Sequence, residues 1–167
     1  MRRSAAMSLV VLMSVLCRPA PVDAQGSGQV PQASITADTP LTEVRTDAAQ
    51  GDATAQNSLG YRYVTGQGVP QDLTEAVRWY RLAAEQGYAA GQYNLGAMYG
   101  TGRGVPRDYV EAHTWRTLAA ARATGDTQKH YAETRDAVAK AMKEAQLAEA
   151  QKRAEDWEAA FALRRRQ

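Results

Sequence analysis

The 167-residue sequence is poor in the residues that most chemistry needs: one cysteine, two histidines and no surplus of either charge. Each scarcity excludes something. Cys17 stands in an apolar N-terminal run, so the chain beyond residue 24 has no thiol, hence no disulfide and no cysteine nucleophile. His113 and His130 fall short of the three or four closely spaced ligands that a metal site wants. Twenty Lys and Arg stand against 18 Asp and Glu, a net charge of +2, without the concentrated basic face of a nucleic-acid binder. No serine has a histidine partner at a readable spacing, and no glycine-rich loop follows a strand. These absences predict a protein that is not an enzyme, with no catalytic set, no metal, no cofactor and no nucleic-acid partner.

Long apolar runs are also missing. Arg2 and Arg3 precede an apolar stretch from Ala5 to Leu16, then Pro19, Pro21 and Val22-Asp23-Ala24. That order fits a secretory signal cleaved after Ala24, and the stretch is much shorter than the ~20 residues that span a bilayer. A periplasmic or secreted location with no stable membrane span is therefore expected. Leu16 is too large for the residue before an acylated cysteine, which argues against a lipoprotein anchored at Cys17. Removing residues 1–24 leaves 17 basic and 17 acidic residues. Residues 25–38, rich in Gly, Ser, Gln and Pro, read as a flexible leader.

What is present is a repeat. A shift of 36 residues superimposes Gln56 on Gln92, Leu59-Gly60 on Leu95-Gly96, Tyr63 on Tyr99 and Trp79 on Trp115 without a gap. The same shift lays Thr65-Gly66-x-Gly68-Val69-Pro70-x-Asp72 on Thr101-Gly102-x-Gly104-Val105-Pro106-x-Asp108. In the first copy, Gln56, Leu59, Gly60 and Tyr63 form one stripe of a helix over about 52–65. A glycine inside a helix costs about 1 kcal/mol relative to alanine, so the return of Gly60 as Gly96 predicts a close approach by a neighbouring helix. Gly66 and Gly68 suit positive φ in the turn. Asp72 with Glu75, and Asp108 with Glu111, have capping-box spacing at the start of a second helix over about 73–86, which Gly87 closes. One such unit cannot bury its apolar face alone and must stack on neighbours.

The pattern Ala-x-Ala-x-x-x-Leu-Gly-x-x-Tyr-x-x-Gly-x-Gly-Val-x-x-Asp-x-x-Glu-Ala-x-x-Trp-x-x-x-Ala-Ala resembles the Sel-one-like repeat, a relative of tetratricopeptide repeats with a longer inter-helix turn. The resemblance covers about residues 49–125. It implies an all-α fold, a short right-handed α/α solenoid of helix-turn-helix repeats with helical caps. Cysteine-rich relatives are associated with β-lactam binding or hydrolysis. They carry a paired cysteine bridge in each repeat, and this sequence has neither member, so that activity ranks lowest here.

The expected organisation is a repeat domain over 39–160, with repeats at about 50–85 and 86–121, caps at 39–50 and 126–160, and a basic tail at 161–167. Thr39 is expected to cap the first short helix, with Pro40 in its first turn. In similar bacterial proteins a Thr-Pro-type break follows the Met near the closing helix. Here Lys143-Glu144 stands in that place, so either a break or one continuous helix over about 127–160 is open.

In such a solenoid the first helices line a concave groove. Opposite the core stripe lie Ser58, Tyr61 and Arg62, matched by Asn94 and Met98, and these five are the expected partner-binding residues. Tyr61 is the most anchor-like, since exposed Tyr is enriched at interfaces; packing on the preceding cap helix is the alternative. The expected function is a periplasmic adaptor or regulator that grips an envelope or periplasmic protein. The second reading is a peptidoglycan- or glycan-binding module that stacks sugars on Tyr61, Tyr93 and Tyr99. With about two full repeats, self-association into a homodimer would extend the groove.

Overall fold

The computed structural model describes residues 39–166; the signal-type segment, the leader and Cys17 lie outside the described residues. Among the described residues there are seven helices and no strand: α1 Leu41–Ala49, α2 Ala53–Thr65, α3 Leu73–Glu85, α4 Ala89–Thr101, α5 Tyr109–Arg122, α6 Gly125–Ala139 and α7 Glu144–Arg164. Helices α2 and α3 form one hairpin, α4 and α5 the next, and each packs on its neighbour, giving an α/α solenoid.

Local chemistry sets the boundaries. Gly66, Gly68, Gly102 and Gly104 all have φ between 70° and 75°, ending α2 and α4 in the left-handed conformation that a side chain resists. Asp72 Oδ1 accepts from the Thr74 and Glu75 amides, and Asp108 Oδ1 from those of Val110 and Glu111. Only this half of each capping box forms. Glu75 turns instead to Arg78, and Glu111 to Trp115 Nε1 and Arg153. Asp52, not singled out by the repeat, caps α2 through the Ala55 amide. Thr39 is not a cap: Pro40 holds the N-cap position of α1, which has no side-chain cap, and the Thr39 carbonyl accepts from Arg62 Nη2. Asp108→Ala should lower stability by about 1 kcal/mol, read by urea denaturation.

The helices meet where side chains are smallest. A Cβ on Gly60 would lie 2.7 Å from the ring of the buried Tyr80, and one on Gly96 would lie 3.0 Å from the Ala112 carbonyl oxygen. Two apolar clusters follow: Val44, Ala48, Ala55 and Leu59 between α1 and α2, and a larger one including Tyr80, Leu95, Met98, Trp115 and Leu118.

The same glutamine marks each unit, buried in the first two and exposed in the third. Gln56 Nε2 donates to the Ala48 carbonyl, Gln92 to Ala84 and Gln128 to Ala120, each eight residues back, at 3.2–3.3 Å. The third rung identifies α6 as the first helix of a third unit. Its expected partner behaves otherwise. The chain breaks at residues 140–143, and α7 packs on α5 rather than forming a hairpin with α6. Ala150 and Ala154 are its buried residues, Thr114 Oγ1 donates to the Ala150 carbonyl, and the Trp157 ring lies edge-on to Trp115. The helix runs on through Phe161, stacked on Trp157, to Arg164.

Candidate partner-binding face

The first helices α2, α4 and α6 are cross-linked by polar and aromatic side chains. Asn94 Nδ2 donates to Asn57 Oδ1 at 2.8 Å, joining α4 to α2. One repeat later, the Tyr93 hydroxyl lies 3.1 Å from His130 Nε2, joining α4 to α6. Residues 57 and 93 are repeat equivalents, as are 94 and 130, so the rungs use one geometry with different chemistry. Tyr93 also stacks on Tyr131, with ring centroids 4.3 Å apart and planes 13° apart. Burial, and then the neighbouring Tyr93, push the Tyr131 hydroxyl above its ordinary pKa. The Arg116 guanidinium lies 5.8 Å from the Tyr93 ring centroid and donates to the Thr134 carbonyl.

The five expected contact residues fare unequally. Tyr61 is 51% exposed, so it does not spend its ring on the cap helix. Ser58 is half-buried beside it on α2. Arg62 is half-buried and committed to the Thr39 carbonyl, which makes it a strut between the start of α1 and the end of α2. Asn94 belongs to the row of rungs. Met98 is only 4% exposed and lies in the core, so it is not a surface contact. Helix α4 is packed between α3 and α5, which buries a wider arc than one stripe. Asn57, His130 and Tyr131 were missed. Pairing each residue with the one 37 positions on, rather than 36, would have found the rungs. Of the three tyrosines offered as sugar platforms, Tyr93 stacks on Tyr131 and the Tyr99 hydroxyl accepts from Arg81, which leaves Tyr61 open.

His113 is buried at 4% exposure, with Nδ1 3.4 Å from Thr117 Oγ1. Burial first, and then Arg135, hold its pKa below the ordinary 6.5, against a weaker pull from Asp136. The folded protein therefore binds this proton less readily than the unfolded chain. His113 contributes its full stability above pH 6.5 and loses it as pH falls below that value. The melting temperature should drop between pH 7.5 and pH 5.5, and His113→Leu should flatten that drop.

Among the described residues no cluster of three or more His, Cys, Asp or Glu side chains could hold a metal ion, and no helix is long and apolar enough to cross a membrane.

Residues 53–88 and 89–123 each match the model of the Sel1 repeat. Over 43 residues the chain is 44% identical to the "secretory immunoglobulin A-binding protein EsiB" of Escherichia coli O6:H1, which is 26% of this chain and 9% of that protein. The crystal structure of c5321, described as a protective antigen of uropathogenic Escherichia coli with an SLR fold, superimposes with a TM-score of 0.67 at 33% identity. That match covers 74% of this chain and 26% of c5321. A Sel1 repeat protein from Oxalobacter formigenes gives a TM-score of 0.50 at 38% identity, over 55% of this chain and 37% of its own. The chain thus spans well under half the length of these relatives.

Proposed function

Taking as premise that a chain built on two Sel1 repeats is a Sel1-repeat protein, we propose that it is a non-catalytic adaptor or regulator of the bacterial envelope. In this reading it acts in the periplasm, or after secretion, and holds a protein partner against α2, α4 and α6. One observation carries the reading: an exposed Tyr61 shares α2 with the first of a row of amide and aromatic groups, half-buried Asn57, Asn94 and Tyr93 and exposed His130, fixed by rungs between successive helices. Tyr is a favoured anchor because it offers a large rigid apolar area with a polar tip. Rungs that hold their side chains before binding reduce the ordering cost that a partner must offset. The N-terminal signal-type segment supports export. The name of the Escherichia coli relative, a binder of secretory immunoglobulin A, supports a protein as ligand without naming the ligand of this chain.

The test is in-cell crosslinking and pull-down with the tagged chain, its Tyr61→Ala and Asn94→Ala variants, and an exposed α3 control, Arg78→Ala. One envelope protein captured by the parent and the control, and lost in both face variants, is the expected result. Capture that survives both face variants removes the site; enrichment of cell-wall fragments in place of protein removes the adaptor reading.

A further inference from the structure

The junction between α6 and α7 differs from the others. Gly51, Gly66, Gly87, Gly102 and Gly125, all with positive φ, stand within or at the edge of the other five. No glycine or proline occurs between Gly125 and the end of the sequence. The stretch Ala139-Lys140-Ala141-Met142-Lys143-Glu144 consists of strong helix formers. The break is nearly helical as well: the Lys140 amide still bonds to Asp136 O, Ala141 and Met142 tighten to Val138 O and Ala139 O, and Lys143 is extended (φ −79°, ψ 155°). The one local signal is a cap on α7: Gln146 Oε1 accepts from the Lys143 amide at 3.0 Å. What holds the break open is the docking of α7 on α5, secured by Thr114 to Ala150, Glu111 to Arg153 and Arg122 to Glu158.

That docking leaves a polar group unserved. In the first repeat, Gln56 Oε1 accepts from Gln86 Nε2 at 2.8 Å. The equivalent of Gln86 one repeat later is Arg122, and Glu158 holds both of its terminal nitrogens, at 2.5 and 2.8 Å. Gln92 Oε1 is consequently buried without a partner. This orphaned acceptor accompanies α7 wherever it docks on α5; the break at residues 140–143, by contrast, depends on α7 docking on the α5 of its own chain.

We infer that α7 exchanges between two copies of this chain. In the exchanged dimer residues 140–143 become helical, α6 and α7 run as one helix, and each α7 docks on α5 of the other copy. The α5–α7 contacts are the same in both forms. The dimer gains the backbone hydrogen bonds of the hinge and gives up the advantage of an intramolecular partner, so it grows with concentration. The second copy is the occupant because it carries the same α5 and so offers α7 the same Thr114, Glu111 and Arg122.

Glu144→Pro is the decisive variant. Proline is favoured at the first position of a helix, and the extended Lys143 before it has the conformation that a following proline requires. The closed monomer accepts this change, while a continuous helix does not. The experiment is light scattering over a concentration series on the full chain carrying Cys17→Ser, with and without Glu144→Pro. It is combined with bis-maleimide crosslinking of a Glu111→Cys, Arg153→Cys pair. The expected result is a species of twice the monomer mass that grows with concentration, crosslinks between chains and disappears with Glu144→Pro. A chain that stays monomeric throughout overturns the inference. So does a dimer whose crosslink stays within one chain, or one that Glu144→Pro leaves intact.

Discussion

Gly104→Ala will cost about 3 kcal/mol of stability and Gly68→Ala about 1 kcal/mol, though the two glycines hold the same place in successive turns. Both have nearly the same positive φ, 71° and 74°, so the backbone strain of a side chain is common to both and cancels in the comparison. The surroundings differ. A Cβ on Gly104 would run into the Leu73 carbonyl at the start of α3, a backbone group fixed by the helix it opens. A Cβ on Gly68 would meet Leu41 Cδ2 and Arg62 Nη1 at ordinary distances of 3.5 and 4.0 Å. The difference isolates the seating of one repeat's turn on the preceding repeat. Urea denaturation of both variants measures it, and equal losses would mean that the turns are not seated against each other.

Trp157→Ala should release α7 while leaving α2–α5 folded. The Trp157 ring lies between Trp115, 6.1 Å away edge-on, and Phe161, stacked at 4.7 Å, and the Arg122 guanidinium stands 4.7 Å from its centroid. Truncating a half-buried Trp of this kind costs about 2–3 kcal/mol. That is enough to undock a helix whose remaining buried residues are alanines. Hydrogen exchange should show residues 144–164 losing protection while the amides of α3 and α5 keep theirs. Uniform loss across the chain would instead make α7 part of one cooperative core.

The turns within the two repeats were legible because they are written in local chemistry. Asp72, Asp108, Gly66 and Gly102 each act within a turn of their own position, so reading them needs no knowledge of the fold. Gly60 and Gly96 were legible for a related reason: a costly residue kept in both copies had to answer to a neighbour. The break at 140–143 was left open because its local mark is a single glutamine, Gln146, which caps the Lys143 amide but suits a helix interior equally; the rest follows from where α7 docks. Met98 failed for a tertiary reason. Its repeat equivalent Arg62 reaches the Thr39 carbonyl just before α1, whereas α4 is packed between α3 and α5, so equivalent positions differ in burial. The rungs Asn57–Asn94 and Tyr93–His130 depend on the offset between neighbouring first helices, which the repeat length of 36 does not supply.

In the proposed function a protein partner lies against α2, α4 and α6. Site-specific photocrosslinking in living cells tests it most directly, with the photoreactive residue placed at Tyr61 and, as a control on another face, at the exposed Glu155 of α7. One discrete protein adduct from position 61 and none from position 155 is the expected result. An adduct from 155 with none from 61 would contradict it.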